Sequence, residues 1–241
     1  MTHYFISDLH LQAGRPAMTE GFLGLLDRLT DAEALYILGD FFEVWIGDDY
    51  SDALVEQIKS SLKALSNKGT DVVFMHGNRD FLMGDTFAAD CGGRMMAEGS
   101  VIHVGDDSAL LLHGDSLCTR DVEYMKMRQV FRNPAWIAEV LSKSIPERVA
   151  LGRQVRSESK AGQQMKADDI MDVTPEEVDK ALTEAGVSRM IHGHTHRPDT
   201  HRWEHDGEAR ERIVLGDWGD DHGWLIHWQA GSKPVLEKFG F

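Results

Sequence analysis

Short apolar runs recur along the chain, and five of them end in side chains that can bind a metal ion. Runs of this length, rich in branched and aromatic residues, predict buried β-strands. Two segments with helical spacing of apolar residues, around Phe22 to Leu29 and over 51–67, separate the first three runs. This alternation indicates βαβ units and a largely parallel sheet, in which ligands bind beyond the carboxyl ends of the strands.

The side chains at these strand ends are carboxylates, imidazoles and one amide: Asp8, His10, Asp40, Asn78, His113, His194 and His196. Such a set of oxygen and nitrogen ligands suits Mn²⁺, Fe or Zn²⁺. Two ions fit if one carboxylate bridges them, and two close ions can activate water for in-line displacement at phosphorus. A lone His113 or Asn78 is more often a core or turn residue, and Gly39-Asp40 alone is typical of a turn. Repetition of the design at five strand ends favours the metal site.

The segment from Arg120 to Lys166 differs from the rest of the chain in pattern and in charge. Its apolar spacing is helical throughout, and Pro134 and Pro146 suit helix starts. It contains ten Lys or Arg against five Asp or Glu, a balance of +5 that leaves −20 for the remainder. We predict a helical insertion, or cap, between two sheet elements.

Beyond His196 the helical periodicity gives way to short candidate strands over 199–205, 209–215, 222–228 and 234–238. They predict a second, more antiparallel sheet that packs face to face with the first. A length of 241 residues fits one large α/β domain with an insertion.

Charge, cysteine content and the first residues indicate where the protein works. A net charge of −15 argues against general binding to nucleic acid, because clustered Lys and Arg hold phosphate backbones. Cys91 and Cys118 form no metal-binding or disulfide pattern, which favours a reducing compartment. The first strand leaves no room for a leader, and no apolar stretch is long enough for a membrane span. We therefore expect a cytoplasmic protein, either soluble or bound to a membrane surface.

In chain order the strand ends read D-x-H, G-D, G-N-R-D, H-G-D and G-H-x-H. This series resembles the motifs of the calcineurin-like metallophosphoesterases over nearly the whole chain. The resemblance implies an α/β fold, a four-layer α-β-β-α sandwich over residues 1–241, with a helical cap inserted at 120–166. It also implies two ions bridged by Asp40. One would take Asp8, His10, Asp40 and His196, and the other Asp40, Asn78, His113 and His194.

One position departs from the wider superfamily. Many members have His after the Asn, where it can protonate an alkoxide leaving group, whereas this chain has Arg79. Arginine does not act as a general acid at neutral pH, but it holds and neutralises phosphate oxygens. A phosphate monoester leaving group, with a second pKa of about 6, needs little protonation. Arg79 therefore favours cleavage of a phosphoanhydride, and an arginine that positions an ester substrate is the alternative.

Longer stretches resemble the UDP-2,3-diacylglucosamine hydrolases of the lipid A pathway, at 36–40, 42–49, 77–81, 113–118, 170–173 and 192–198. This resemblance implies hydrolysis of the pyrophosphate bond of UDP-2,3-diacylglucosamine to UMP and 2,3-diacylglucosamine 1-phosphate. A metal-bound hydroxide would attack the α-phosphorus, with two Mn²⁺ per chain and catalytic roles for Arg79 and Asp40. Peripheral contact with the cytoplasmic side of the inner membrane is also implied, with no nucleic acid and no required protein partner. The substrate contacts carried over are Asn78, Arg79, Asp121, Tyr124, Arg156, Ser159, Lys166 and His194.

Apolar residues of the cap would provide a cleft for acyl chains: Trp136, Ile137, Val140, Leu141, Ile145, Val149 and Leu151. The basic excess would meet phosphates and anionic headgroups. An amphipathic helical pair that buries one face against the core explains the same periodicity. Among enzymes, the rival is a phosphodiesterase or nucleotide pyrophosphatase with a water-soluble substrate. A non-catalytic scaffold with this fold usually lacks metal ligands, and here none is missing.

Overall fold

The computed structural model describes residues 1–163, 170 and 172–241. Within these residues lie eleven β-strands and seven α-helices. The strands are β1 (Thr2–Ile6), β2 (Ala32–Leu38), β3 (Asp71–Met75), β4 (Arg94–Met95), β5 (Ser100–Val104), β6 (Asp107–Leu111), β7 (Arg189–His192), β8 (Asp199–His205), β9 (Glu208–Val214), β10 (His222–Gln229) and β11 (Val235–Gly240). The helices are α1 (Pro16–Arg28), α2 (Ala53–Ser66), α3 (Asp85–Asp90), α4 (Val122–Phe131), α5 (Pro134–Leu141), α6 (Ile145–Gln163) and α7 (Pro175–Ala185).

The strands form two sheets. The six-stranded sheet has the order β11-β10-β1-β2-β3-β4, and the five-stranded sheet has the order β5-β6-β7-β9-β8. In the first sheet β1, β2 and β3 are parallel neighbours. In the second sheet β6 and β7 are parallel neighbours. The five strands that precede the metal-competent residues therefore end together at one edge within each sheet.

Alternation along the strands creates three apolar layers, because successive side chains of a strand point to opposite faces. In β2, Leu35 and Ile37 pack with residues of α1, α2 and α3, whereas Tyr36 packs with the second sheet. In β6, Leu111 lies in the layer between the sheets and Leu110 packs with residues of α7. The order is helices, sheet, sheet, helix. The four-layer α-β-β-α sandwich predicted from the sequence is thus confirmed.

Helix α2 illustrates how local sequence sets these layers. The Asp52 side chain accepts a hydrogen bond from the backbone N–H of Val55 at 2.9 Å and so caps the start of the helix. Its buried residues recur every three or four positions, which is one face of a helix: Val55, Ile58, Leu62 and Leu65. The predicted helix over 51–67 is confirmed with slightly shorter bounds.

The four strands predicted beyond His196 correspond to β8, β9, β10 and β11, but their assignment to a single second sheet was wrong. Only β8 and β9 belong to the second sheet. Strand β10 pairs antiparallel with β1, with His227 opposite Tyr4, and β11 extends the same sheet. Periodicity identifies a strand but not its partner, which here depends on burial of Ile226 and Trp228 against Phe5. The short elements α3, β4 and β5 were not predicted.

Three helices, α4, α5 and α6, occupy the basic segment, and we call them the cap helices. Pro134 is the first residue of α5, where its missing N–H costs nothing, and the Asn133 side chain caps the helix by accepting from the Ala135 N–H at 2.9 Å. Pro146 is the second residue of α6. The prediction of helix starts at both prolines is confirmed. Positions 164–166 of the segment lie outside the described residues.

Candidate metal centre

All seven predicted metal ligands lie just past the ends of strands. Asp8 follows β1 and Asp40 follows β2 by two residues, and Asn78 follows β3 by three. His113 and His194 follow β6 and β7 by two residues each. His10 and His196 come two positions after Asp8 and His194. The predicted ligands therefore follow three strands of one sheet and two strands of the other.

The backbone at these positions is unusual. Six non-glycine residues of the described chain have a positive φ, and five of them are predicted ligands: Asp8 at 57°, His10 at 50°, Asp40 at 51°, His194 at 68° and His196 at 55°. This left-handed conformation costs about 1 kcal/mol or more per residue, so it persists only where neighbouring structure fixes it. Backbone hydrogen bonds between loops supply that constraint. The N–H of His10 donates to the carbonyl of Asp40 at 2.9 Å, and the N–H of Gly193 donates to that of His113 at 2.9 Å.

Two glycines of the motifs are required by close approach. A Cβ on Gly77 would lie 2.1 Å from Asp40 Oδ1, and a Cβ on Gly193 would lie 2.2 Å from Asp8 Oδ2. Both distances are far below van der Waals contact, so any other residue would displace a ligand carboxylate. These glycines therefore allow the loops that carry the ligands to meet.

One group of donor atoms forms around His196. Its Nε2 lies 3.3 Å from Asp8 Oδ1 and 3.5 Å from His10 Nε2. His10 Nε2 is in turn 3.9 Å from Asp40 Oδ2. The donor atoms of Asp8, His10 and His196 all lie within 4.8 Å of one another. Two imidazole nitrogens that face each other and a buried carboxylate form a site that suits a divalent cation.

A second group of donor atoms forms around Asn78. Its Oδ1 lies 3.0 Å from His113 Nε2 and 2.9 Å from His194 Nδ1. Asp40 Oδ1 is 3.6 Å from His113 Nε2, so each oxygen of the Asp40 carboxylate faces a different group. Asp8 also lies within reach of the second group, since donor atoms of Asp8, Asp40 and His113 fall within 4.8 Å of one another.

Contacts outside the two groups orient the histidines. His113 Nδ1 lies 2.8 Å from the carbonyl oxygen of Leu38, which leaves Nε2 facing Asn78 and Asp40. His10 Nδ1 lies 3.5 Å from Glu43 Oε2, and His196 Nδ1 lies 3.7 Å from Asp217 Oδ2. Metal-binding histidines usually donate their second N–H to a carboxylate or carbonyl. Glu43 and Asp217 were not among the residues predicted from the sequence.

Burial changes the protonation of the ligand set. It lowers the pKa of His10 to about 3 and that of His194 to about 4, so both imidazoles are neutral near pH 7. It raises the pKa of Asp40 to about 7, against the attraction of His113. The pKa of Asp8 lies below its usual range, because the hydrogen bond and charge of His196 outweigh the effect of burial. Against the effect of burial, Asp40 and Asp8 raise the pKa of His113 to about 9, and Asp8 raises the pKa of His196. Binding of a cation by these four histidines therefore requires the loss of protons from His113 and His196.

Asp80 is a further residue of the site that sequence reasoning did not assign. Its side chain is fully buried and accepts from the backbone N–H groups of Gly77 at 2.7 Å, Phe41 at 2.8 Å and Asp40 at 3.3 Å. It therefore holds the loop after β2 against the loop after β3. The G-N-R-D motif contained the signal, since a carboxylate in a buried turn needs several donors.

Arg79 lies against the shared carboxylate. Its backbone N–H donates to Asp40 Oδ1 at 2.8 Å, and its Nε lies 3.9 Å from Asp40 Oδ2. The Nε is buried and has no hydrogen-bond partner among the described residues. The guanidinium group thus forms an ion pair with Asp40, whose oxygens face both groups, while its Nε makes no hydrogen bond to either group among the described residues.

A pocket that is partly open to solvent begins at the metal centre and runs under the cap helices. Asn78 and Arg79 lie at one end. Apolar side chains from α5, α6 and the loops after β2 and β3 make up most of the remaining wall: Val44, Trp45, Ile46, Phe81, Leu82, Trp136, Val140, Leu151 and Val155. Of the seven apolar cap residues singled out from the sequence, Trp136, Val140 and Leu151 line this pocket.

The remaining predicted substrate contacts fall in different places. The ring of Tyr124 is 5.9 Å from that of His194, and its hydroxyl donates to Asp115 Oδ2. Asp121 caps α4 by accepting from the Tyr124 N–H at 3.0 Å. Arg156 lines the pocket. The side chain of Ser159 and the whole of Lys166 lie outside the part of the molecule that the structure describes.

Proteins of similar sequence identify the family to which this chain belongs. The profile of the calcineurin-like phosphoesterase family matches residues 1–198. A UDP-2,3-diacylglucosamine hydrolase of Chromohalobacter salexigens is 48% identical over 242 residues, which cover 100% of this chain and 98% of that protein. A protein of the same name from Pseudomonas putida is 51% identical, with 98% of each chain covered. This chain belongs to the UDP-2,3-diacylglucosamine hydrolase family of calcineurin-like phosphoesterases.

Membership in the UDP-2,3-diacylglucosamine hydrolase family confirms the resemblance seen in the motifs, and membership in the calcineurin-like phosphoesterases identifies the protein as a metal-dependent hydrolase. Among solved structures, Vacuolar Protein Sorting 29 from Cryptosporidium parvum covers 100% of this chain and 97% of its own, at 15% identity and a TM-score of 0.47. A likeness of that size adds nothing to the family assignment. Among the described helices, none combines the length and the apolar character needed to cross a bilayer.

Proposed function

We propose that this protein hydrolyses the pyrophosphate bond of UDP-2,3-diacylglucosamine to UMP and 2,3-diacylglucosamine 1-phosphate, a step of lipid A biosynthesis. The observation that carries the proposal is the continuity of the metal centre with an apolar pocket through Asn78 and Arg79. A pocket that can take a phosphate beside Asn78 and Arg79 and acyl chains along its apolar wall suits a lipid nucleotide better than a water-soluble diester. The names of relatives that are about half identical in sequence support the same substrate.

In this proposal the site holds two divalent ions, with Mn²⁺ as the physiological metal. One ion takes Asp8, His10, Asp40 and His196, and the other takes Asp40, Asn78, His113 and His194. The shared role of Asp40 is supported by its two oxygens, which face different histidines at 3.9 and 3.6 Å. Divalent ions bound there would lower the pKa of a coordinated water and neutralise phosphoryl oxygens.

The chain's own groups then bind and orient the substrate. Arg79 neutralises the oxygens of the pyrophosphate next to Asp40, and its buried Nε without a partner supports this role. Because the leaving group is a phosphate monoester, no general acid is required. Water attacks the α-phosphorus in line, so no covalent enzyme intermediate forms. Asn78, His194, Asp121, Tyr124, Arg156, Ser159 and Lys166 complete the proposed substrate contacts.

The pocket under the cap helices takes the acyl chains. Trp136, Val140 and Leu151 on one side and Ile46 and Phe81 on the other give it the apolar wall that such chains need. We further propose a single catalytic domain over residues 1–241 in which 120–166 form the cap.

We also propose that the protein works in the cytoplasm, attached peripherally to the inner membrane. Large apolar side chains are exposed on and beside the cap helices, with Val122 at 58%, Val130 at 50%, Leu141 at 39% and Val44 at 38%. Together with the basic excess of this segment, they suit an anionic lipid surface. At low salt the protein should sediment together with vesicles of phosphatidylglycerol. Equal binding to neutral vesicles would contradict an electrostatic contribution to membrane binding.

The reaction is tested by incubating UDP-2,3-diacylglucosamine with purified protein and Mn²⁺ in ¹⁸O-labelled water, followed by phosphorus NMR and mass spectrometry. We expect UMP that carries one ¹⁸O beside unlabelled lipid phosphate, since the oxygen enters at the α-phosphorus. Label in the lipid phosphate would move the attack to the other phosphorus. If the protein binds two ions and cleaves a simple diester but not this lipid, the metal chemistry stands and the lipid substrate is wrong.

A further inference from the structure

Glu43 lies between the metal centre and the cap helices. It follows β2 in the loop that leads away from Asp40, and its side chain is 20% exposed. One carboxylate oxygen, Oε1, accepts a hydrogen bond from Nε of Arg156 on α6. The other, Oε2, lies 3.5 Å from Nδ1 of His10. A single side chain thus contacts a predicted metal ligand and a residue of the pocket.

The histidine contact is on the side away from the metal centre. His10 Nε2 faces inward, 3.5 Å from His196 Nε2 and 3.9 Å from Asp40 Oδ2. His10 Nδ1 therefore faces outward, is buried, and makes no hydrogen bond among the described residues. Glu43 is the carboxylate within reach of it. An imidazole that binds a metal through Nε2 carries its proton on Nδ1, and a carboxylate at that nitrogen fixes the ring orientation.

The arginine contact leaves part of the guanidinium group available. Arg156 Nε is occupied by Glu43, but Arg156 Nη1 is buried and has no partner in the described part of the chain. Arg156 and Arg79 line the same pocket. Because Glu43 holds the guanidinium by its Nε edge, it determines where the remaining donors point, and a phosphate oxygen is the partner that suits them.

We propose that Glu43 is a positioning residue that couples metal binding at His10 to the orientation of Arg156 in the pocket. The inference rests on the proposed function in that His10 must bind a metal ion. Coupling of this kind is reciprocal, so a ligand held by Arg156 and an ion held by His10 would each strengthen the binding of the other. Glu43 does not touch the reacting atoms.

The test is a titration of the metal-free protein with Mn²⁺, followed by electron paramagnetic resonance of the free ion, so that activity is not the measurement. We expect Glu43→Gln to weaken binding of one ion about 10- to 100-fold, as loss of a carboxylate behind a ligand histidine does. Glu43→Asp keeps the charge but cannot reach both partners, so it should weaken binding to a similar degree. Wild-type affinity in Glu43→Asp would mean that only charge matters, and wild-type affinity in Glu43→Gln would also overturn the proposal.

Asp49→Asn is the matched control. Asp49 pairs with Arg148, so it also joins the loop after β2 to α6, but it contacts no metal ligand. Replacement of Asp49 should leave Mn²⁺ affinity within about twofold of wild type, because substitutions that share no partner with a metal-binding residue usually act independently of it. An effect of Asp49→Asn as large as that of Glu43→Gln would show that loosening α6 is sufficient, which contradicts a specific role for Glu43.

The link to Arg156 is tested by a double-mutant cycle. The fold-change in Mn²⁺ affinity caused by Arg156→Gln is measured once in the wild-type protein and once in Glu43→Gln. We expect the two fold-changes to differ at least about threefold, since the effects of substitutions at interacting residues are not additive. Equal factors would overturn the coupling. Failure of the wild-type protein to bind Mn²⁺ would instead refute the proposed function, and this inference with it.

Discussion

The strand-end loops and the cap helices are held to the molecule in different ways. The loops that carry the metal ligands are joined to one another by backbone hydrogen bonds, and the buried Asp80 carboxylate accepts three more. The cap helices are held by side-chain contacts, chiefly from Asp115, Glu43 and Asp49 to residues of α4 and α6. Backbone bonds leave little freedom, whereas side chains can rearrange. We therefore expect the positions of the predicted metal ligands to be fixed, and the proposed substrate contacts of the cap helices to be adjustable.

The largest effect should follow from Asp40→Asn. The change removes the carboxylate whose two oxygens face the two groups of histidines, so at least one ion should be lost and turnover should fall more than about 1,000-fold. Elemental analysis and initial rates measure both. Asp90→Asn, at an exposed carboxylate that pairs with Lys59, is the control. Two ions retained by Asp40→Asn would contradict a shared ligand.

Arg79→Ala separates chemistry from metal binding within the loops. Arg79 contacts Asp40 but is itself no metal ligand, so turnover should fall about 100- to 1,000-fold while both ions remain. Rates and metal content are measured on the same sample. Arg79→Lys keeps a charge without the planar fork and should recover only part of the loss. Loss of metal in Arg79→Ala would reassign the residue to the structure of the loops.

Arg128→Met probes the attachment of α4. Arg128 Nε donates to the buried Asp115 at 2.9 Å and Arg128 Nη2 donates to Glu98, so loss of both contacts should lower the free energy of unfolding by about 2 to 3 kcal/mol. The cost stays below that of a fully broken buried pair because Tyr124 still donates to Asp115. Urea denaturation measures it, and metal content should not change.

The matched control for this change is Arg120→Met. Arg120 lies 3.7 Å from Glu176 in an exposed pair, where loss of a salt bridge costs less than about 1 kcal/mol. Equal destabilisation by the two variants would mean that the buried contacts of Asp115 do not hold α4.

The smallest effect is a loss of stability at acid pH caused by His192, a buried residue at the end of β7. Burial lowers the pKa of His192 to about 3, so between pH 6.5 and 3 the unfolded chain binds a proton that the folded chain does not. Stability therefore falls as the pH falls through this window, and His192 should contribute about 1 kcal/mol of that loss at pH 5.5. Urea denaturation of metal-free wild type and His192→Gln at pH 7 and 5.5 measures the difference. An equal acid-induced loss in both proteins would contradict it.

Much of the site was readable from the sequence because each ligand follows an apolar run. Asp8, Asp40 and His113 each come two residues after a strand, and a parallel arrangement brings such ends together. Glu43 and Asp217 escaped prediction because nothing in their local sequence says that they face a histidine from another loop. The assignment of β10 to the first sheet escaped it for a similar reason, since strand periodicity carries no information about the partner.

Asp121 illustrates a residue with more than one use. The sequence resemblance assigned it to substrate, and in the structure its side chain also accepts from the N–H of Tyr124 at the start of α4. A short polar residue before a helix is a favoured N-cap, so the local sequence predicts this role as well. Asp121 can cap the start of α4 and contact the substrate at the same time, because a carboxylate has two oxygens.

The sequence by itself determined where most of the strands lie, the kinds of predicted metal ligand and the order in which the chain presents them, since these follow from local periodicity and side-chain chemistry. The tertiary structure decided which atoms face one another. It placed five predicted ligands in a left-handed backbone conformation, turned the two oxygens of Asp40 toward different histidines, and joined His10 to Arg156 through Glu43. Those relations depend on contacts between residues far apart in the chain, and no local pattern encodes them.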